Sequence, residues 1–511
     1  MISVPISINF GTDGFRGIIG DSFTFEVVNH ISLSLGRYLK ENSIAGCGEQ
    51  ETAHSKNSKN LLNAVAIGYD TRFLSKEFAI TAAAALASAG INVILSDNFC
   101  PSPVLSYFVK NKPCRLGIMI TASHNPYMFN GIKFKSPFGS SMLEHEVKKI
   151  EKIANGFNFN KETRGKSYYI NPNMLNSYNN FEYADFKKGY IEHLIGFTGL
   201  GEVTGNTDKD LLNKLEIIID PMFGAGIGYL SGILKRFSIK YRLINDNVNP
   251  SFPGLNPEPI DNNLFELKSF LKKEGIKNKF AVGFATDGDA DRIGAVDFEG
   301  NFIDSHKIFS VILNFLIEEG YSGSVVKTVS VSKSIDNICK KYNLKLFEVP
   351  IGFKNIAALM IEKDKGVFMG GEESGGIGIT SHLPERDGIL NALMILKIML
   401  VRRKNLNELL TDIFNGPYPY TYKREDLHLE EKKKELLIES LKNGSFKIPF
   451  EKDIISTNFI DGFKFEYIDG SWLLVRPSGT EPLLRIYAES GDKKKTGMLI
   501  NKTKEEIGNF Y

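Results

Sequence analysis

Ala64-Val65-Ala66-Ile67-Gly68, then KEFAITAAAALASA over 76–89, Ile91-Asn92-Val93-Ile94-Leu95 and Leu116-Gly117-Ile118-Met119-Ile120 together decide the fold. The short apolar runs have strand length, and the alanine-rich stretch between them, ended by Gly90, has helical length. Strand, helix, strand, strand is the rhythm of an α/β sheet with helices on its faces.

Working outward, the rhythm recurs. Strands are expected at 215–220, 240–244 and 280–286 with a helix at 227–237. A third set has strands at 324–329, 345–349 and 366–369 with helices at 333–342 and 354–362. Three similar α/β units follow, without a clear residue-level repeat. The C-terminal stretch differs: Asp461-Gly462 and Asp469-Gly470 punctuate hairpins, and a Lys/Glu-rich helix closes the chain, which gives a smaller α+β domain. The expected domains are 1–190, 191–302, 303–415 and 416–511. Polar segments at 42–60 and within 155–180, the latter Asn-rich over 171–180, read as loop insertions.

At 511 residues the chain is too long for one hydrophobic core. Hydrophobic residues make up 42% and charged residues 24%, an ordinary globular composition. Sixty-two Lys and Arg against sixty Asp and Glu leave +2, too little for the basic field that non-specific nucleic-acid binding relies on. Cys47, Cys100, Cys114 and Cys339 form no C-x-x-C pair, so neither a disulfide framework nor a zinc knuckle is suggested. The N-terminus lacks the pattern of a signal peptide, and the most apolar stretch, 389–401, is short and contains Lys397; no membrane partner and a cytoplasmic location are expected.

Chemistry gathers where strands end. Strand 116–120 runs into Thr121-Ala122-Ser123-His124-Asn125-Pro126, placing a serine on a loop that leaves a buried strand. Ser123 is either a nucleophile or a turn residue, since Ser, Asn and Pro all form turns. Strand 280–286 runs into Asp287-Gly288-Asp289-Ala290-Asp291-Arg292. Like charges 4 Å apart repel by ~4 kcal/mol at an effective dielectric of 20, so a hard divalent cation such as Mg²⁺ is expected among them. An EF-hand needs Gly at the sixth position and Glu at the twelfth, where this chain has Arg292 and Phe298.

Gly370-Gly371-Glu372-Glu373-Ser374-Gly375-Gly376 follows the third unit's last strand and offers carboxylates and a hydroxyl to sugar hydroxyls; alone, it also reads as a flexible turn. Arg476-Pro477-Ser478-Gly479-Thr480-Glu481-Pro482, with Arg485 beyond, supplies guanidinium, hydroxyl and amide donors suited to a phosphate dianion, or forms a plain turn. Gly11-Thr12-Asp13-Gly14-Phe15-Arg16-Gly17 adds another arginine. Lys133 offers an amine able to shuttle protons if burial or nearby cations lower its pKa.

These segments, in this order, resemble the α-D-phosphohexomutase family (phosphoglucomutase/phosphomannomutase type) over almost the whole chain. The resemblance implies three related α/β domains and a smaller fourth domain around a central cleft. It implies that Ser123 is phosphorylated in the active enzyme, with one Mg²⁺ held by its phosphate and by Asp287, Asp289 and Asp291. It makes Lys133 the proton-transfer lysine, and places Arg16, His124 and Arg292 around the reacting phosphate. Gly371, Glu372, Ser374 and Lys354 would then contact the sugar, while Arg476, Ser478, Gly479, Thr480 and Arg485 grip the phosphate that is not reacting.

The implied reaction interconverts hexose 1-phosphate and hexose 6-phosphate through a hexose 1,6-bisphosphate, which also serves as activator. Small-molecule hexose phosphates are the expected partners, and the protein is expected to be a monomer or homodimer. The third-unit loops look like those of glucose and glucose/mannose members. Phosphoglucosamine mutases usually carry Gln and His in the first of them, and both are absent here. Arg386 stands where some glucose-specific members have Lys. A phosphoglucosamine mutase, a metal-dependent sugar phosphohydrolase and a silent sugar-phosphate-binding relative remain the competing readings.

Overall fold

The computed structural model describes residues 7–11, 13–42, 63–156, 171–275, 278–478 and 483–510. Contacts divide the chain into two compact units: Met1–Asp304 with Gly375–Leu406, and Ser305–Ser374 with Asn407–Tyr511.

The first unit contains two sheets built on one plan. In the first, Cys114–Ile120, Ala64–Tyr69, Val93–Ser96 and Phe181–Ala184 run parallel in that order. The chain then doubles back, so that Phe129–Lys135 pairs antiparallel with Cys114–Ile120, and Phe15–Ile18 pairs antiparallel with Phe129–Lys135. In the second sheet Ala281–Thr286, Glu216–Asp220 and Tyr241–Leu243 are parallel, and Ile293–Val296 doubles back antiparallel on Ala281–Thr286. The serine segment and the aspartate segment therefore occupy equivalent places, each the turn between the last parallel strand and its antiparallel neighbour.

Every residue of Ala64–Tyr69 is buried, as expected of a parallel strand covered on both faces. One cover is the alanine-rich helix Ser75–Ser88, packed with Phe25–Glu41 over Val65, Ile67, Ile118 and Ile120. The apolar stretch too short and too charged for a membrane span is the helix Gly388–Arg402, buried along most of its length. Asp387 caps it, its Oδ1 accepting the Leu390 N–H at 2.9 Å. Among the described residues no helix is long and apolar enough to cross a membrane.

In the second unit Ser324–Thr328 pairs in parallel with Lys345–Val349 and Val367–Gly371. A separate five-stranded antiparallel sheet has the order Thr421–His428, Leu483–Ser490, Trp472–Pro477, Phe463–Tyr467, Ile454–Asn458. One face of it packs on Glu431–Asn443 and Lys493–Asn509 through Leu437, Leu441, Leu499 and Ile500. Gly462 and Gly470 have φ of 92° and 81°, the left-handed backbone their hairpin turns require.

The expected strands and helices match to within a few residues at most ends. The polar insertion 42–60 beyond Asn42 and much of the second, 157–170, lie outside the described residues. The Asn-rich stretch is more than a loop: Pro172–Leu175 is helical, and Asn180 donates through Nδ2 to the Ala87 and Ile91 carbonyls. Cys100, Cys114 and Cys339 are free and buried, and burial pushes each thiol up to about 12.

Candidate active site

Ser123 leaves the strand Cys114–Ile120 with φ at 52°, in the left-handed region that costs an L-residue ~1–2 kcal/mol. Its N–H donates to Thr121 Oγ1 at 2.8 Å, and its own Oγ donates to Asp287 Oδ2 at 2.7 Å. His124 Nδ1 lies 3.4 Å from Ser123 Oγ. Arg16, on the strand Phe15–Ile18, holds Asn125 Oδ1 through a terminal guanidinium nitrogen. Opposite the serine loop, Gly288 permits the approach: a Cβ there would overlap the Ser123 carbonyl oxygen.

The three aspartates lie on one buried turn, with a ligand oxygen from each within 4.8 Å of the others. Asp287 Oδ1 accepts the N–H groups of Asp291 and Arg292 at 3.0 and 3.1 Å, so the first carboxylate folds the turn that presents the other two. Asp289 Oδ2 accepts from Ser102 Oγ at 2.6 Å and Lys133 Nζ at 3.0 Å. Asp289 Oδ1 and Asp291 Oδ1 are buried and accept no hydrogen bond among the described residues. Buried anionic oxygens without donors are costly, and hard oxygen donors at this spacing fit a divalent cation.

Lys133 alternates with Gly131 and Lys135 on one face of Phe129–Lys135, and its Nζ also lies 2.9 Å from Asp13 and 3.9 Å from Asp291. Burial pushes Lys133 down, but Asp13, Asp289 and Asp291 outweigh it, so its pKa is raised rather than lowered. These carboxylates hold the proton on Lys133, opposite to the depression weighed from sequence. His124 moves the other way, held well below its usual value by burial and by Arg292, Arg16, Lys133 and Arg72. Burial and the other two aspartates raise Asp287, whereas Lys133, Ser102 and Arg386 overcome burial to depress Asp289.

Arg292 approaches Glu258 at 3.4 Å, and Asp287 and Asp291 at 3.9 Å. The first unit thus brings together Ser123, His124, Arg16, Lys133, Arg292 and the three aspartates. It adds residues that sequence reading missed or left aside. Arg386 Nη2 lies 2.7 Å from Asp291 and 3.1 Å from Asp13, making it a neighbour of the aspartate turn. Ser102 begins the helix Ser102–Asn111 and donates to Asp289. Arg72, three residues past Ala64–Tyr69, donates to the carbonyls of Ser123, Asn125, Pro126 and Phe129. The signal for Arg72 was present as Asp70-Thr71-Arg72, charged residues directly after a fully apolar strand.

In the second unit Gly371 ends the strand Val367–Gly371, and Glu372 Oε1 accepts the Gly352 N–H at 3.0 Å. Gly352 precedes the helix Phe353–Ile361, whose first turn carries a half-buried Lys354, so Glu372 is tied to the helix that bears Lys354. Ser374 is half-buried. Glu373 accepts from Ser330 Oγ at 2.6 Å. In the antiparallel sheet Arg476 and Arg485 stand directly opposite each other, a like-charge pair that is unfavourable unless neutralised. Asp461 lies 2.9 Å from Arg476 and Asp426 lies 3.6 Å from Arg485. Ser478 donates its N–H to the Leu483 carbonyl at 2.8 Å; Gly479 and Thr480 lie outside the described residues.

Four family profiles match the chain in order. They are described as phosphoglucomutase/phosphomannomutase alpha/beta/alpha domain I at residues 7–161, domain II at 188–300, domain III at 304–416, and the C-terminal domain at 427–505. A protein named "Probable phosphoglucosamine mutase" from Methanosphaera stadtmanae is 32% identical over 505 residues, 98% of each chain. A phosphoglucomutase/phosphomannomutase from Thermococcus kodakarensis is 28% identical over 488 residues, 95% of each chain. Among solved structures, a protein from Thermus thermophilus assigned as a phosphomannomutase is similar with a TM-score of 0.79 and 29% identity. That match covers 98% of this chain and 99% of the other.

Proposed function

The chain belongs to the phosphoglucomutase/phosphomannomutase family of phosphohexomutases, isomerase-class enzymes, and from that premise we propose that it interconverts hexose 1-phosphates and hexose 6-phosphates, glucose and mannose foremost, through phospho-Ser123. The observation that carries this reading is the buried Ser123 Oγ, held 2.7 Å from the first of three clustered aspartates. A serine so placed is a carrier beside a cation site.

Starting from hexose 1-phosphate, the bond from phosphorus to Ser123 Oγ breaks as a bond to the sugar's 6-hydroxyl oxygen forms, and the hydroxyl proton ends on Ser123 Oγ. In the resulting hexose 1,6-bisphosphate the bond from phosphorus to the 1-oxygen then breaks as the bond to Ser123 Oγ re-forms, the Ser123 hydroxyl proton passes to the 1-oxygen, and the 6-phosphate departs. Asp287, Asp289 and Asp291 would hold Mg²⁺, which when bound supplies charge neutralisation at the transferring group. Arg16 and Arg292 orient the phosphoryl oxygens, and His124, 3.4 Å from Ser123 Oγ, and Lys133, paired with Asp289, are the titratable groups for exchange of the hydroxyl proton. Glu372, Ser374 and Lys354 recognise the sugar. Arg476, Arg485 and the Ser478 segment hold the phosphate that does not react, so that either end of the bisphosphate is accepted.

Glucosamine 1-phosphate is the second reading, favoured by the name of the Methanosphaera relative. The absence from the 372–376 loop of the Gln and His that phosphoglucosamine mutases usually carry there favours glucose and mannose. Side-by-side assays of the three 1-phosphates decide between them. Ser123→Ala is expected to abolish turnover in a folded protein, and full activity in that variant refutes the carrier. Release of inorganic phosphate in preference to the 6-phosphate refutes the mutase reading in favour of a hydrolase.

A further inference from the structure

We propose that Arg72 is the positioning residue for the phosphoryl carrier: its guanidinium sets the backbone of the Ser123 loop and thereby aims Ser123 Oγ at Asp287. The inference rests on the reading of Ser123 as carrier. Among the described residues, all the hydrogen bonds made by its two terminal nitrogens go to that loop. Nη2 donates to the carbonyls of Ser123 at 2.5 Å and Asn125 at 2.6 Å, and Nη1 to those of Pro126 at 2.9 Å and Phe129 at 3.1 Å. The side chain is fully buried, with Nε 3.3 Å from Asp70 Oδ2 and the Phe252 ring 4.9 Å from the guanidinium carbon.

The geometry follows from the sheet. Ala64–Tyr69 and Cys114–Ile120 are parallel neighbours, with Tyr69 opposite Ile120, so the segments leaving them emerge side by side. Asp70 continues the pairing by donating its N–H to the Ile120 carbonyl at 3.1 Å. It then turns Arg72 toward the loop, its Oδ1 accepting the Arg72 N–H at 2.9 Å and the Ser75 hydroxyl at 2.5 Å. Because a peptide unit is planar, holding the Ser123 carbonyl orients the Ser123–His124 plane, and with the Ser123 N–H held on the other side by Thr121 Oγ1 at 2.8 Å, the Cα–Cβ bond between the two is constrained as well. Ser123 occupies a left-handed conformation that its side chain does not favour, so the loop needs such an outside constraint. A planar fork satisfies four separated carbonyls; a lysine ammonium, a point donor, does not.

The test compares Arg72→Lys, Asp70→Asn and Ser123→Ala, each checked for folding by circular dichroism and thermal melting. With Arg72→Lys folded, kcat is expected to fall about 100-fold, the scale of an ångström misplacement, while KM for the hexose 1-phosphate stays within about threefold. Asp70→Asn, which keeps Arg72 but loosens its anchor, is expected to lower kcat by about tenfold with KM again unchanged. A wild-type kcat in folded Arg72→Lys, or a loss confined to KM, overturns the proposal. Should Arg72→Lys fail to fold, an unchanged kcat in Asp70→Asn overturns it. Activity surviving in Ser123→Ala overturns the carrier itself, whereas an inactive Ser123→Ala beside a fully active Arg72→Lys overturns only the role of Arg72.

Discussion

Gly288→Ala tests whether the serine and aspartate turns must meet at backbone distance. Gly288 does not lie in the left-handed region that only glycine tolerates well, and the substitution adds only a methyl group. That methyl would meet the Ser123 carbonyl oxygen well inside 3.0 Å, a separation real Cβ atoms essentially never show, and would lie 3.4 Å from Pro257 Cγ. Gly288 cannot slide aside: its N–H donates to the Pro257 carbonyl at 3.2 Å and its carbonyl accepts the Ala225 N–H at 2.9 Å. The two turns must part by about half an ångström or more, and misplacement on that scale costs roughly 10- to 100-fold in rate. In barrier terms that is about 1.4–2.7 kcal/mol. The assay is steady-state kcat with phosphoserine content measured by intact mass. Gly232→Ala is the control, a helical position where a Cβ meets nothing within 4 Å. Wild-type kcat in Gly288→Ala refutes the claim that close approach of the turns sets the carrier's position.

Glu385→Gln strands the buried Lys135, whose Nζ lies 2.6 Å from Glu385 with both side chains fully inaccessible, and should destabilise by about 3–5 kcal/mol in urea unfolding. Lys135→Met combined with Glu385→Leu should recover most of that loss. Burial raises Asp220 to about 6, so the folded state binds more protons than the unfolded state; stability falls as pH rises from about 4 to about 6 and stays lower above. Asp220→Asn should remove that slope and add at most about 2–3 kcal/mol at pH 7, read from melts across the range. Chelation should abolish turnover and lower the melting temperature, and Asp291→Asn should weaken Mg²⁺ binding by calorimetry. Mg²⁺ should bind more tightly to the Ser123-phosphorylated protein than to the dephosphorylated one, with equal affinities refuting the coupling.

The fold was legible because two periodicities were strong: apolar runs of strand length and one alanine-rich helix between them. The antiparallel strand Phe129–Lys135 was not, since it carries Asn130, Lys133 and Lys135 and reads as polar, yet all three side chains are buried. Those lysines are buried because carboxylates from distant segments, Asp13, Asp289 and Glu385, pair with them, information that no local window holds. The same cause hid the charge state of Lys133. Burial was foreseeable from the apolar neighbours, but the three carboxylates that reverse its effect come from the N-terminal segment and the second sheet. Candidate residues on the motif-bearing strand-end loops were readable; Arg72 left only the faint signal of charged residues after an apolar strand, and Ser102, which donates to Asp289, left none.

On the proposed function, the charges of the site account for a cation and a phosphorylated serine being held together. Linked by shared ion pairs are Asp13, Glu258, Asp287, Asp289, Asp291 and Glu385 on one side and Lys133, Lys135, Arg292 and Arg386 on the other. Arg16 adds a fifth cation through its interactions with Asp13 and Asp289. Six carboxylates against five cations leave the cluster one charge from neutral in a region largely withdrawn from water. A divalent cation alone would swing it positive, against five fixed cations that repel it. A phosphoryl group alone, at close to two negative charges, would swing it further negative. Together they cancel, so each raises the affinity for the other. Lys133 would be the group most affected, since it pairs with Asp289 and Asp291, the carboxylates that would hold the cation. Asp13, which lies outside the aspartate turn, pairs with Lys133 and with Arg386, so it links the lysine to the second cation that reaches Asp291.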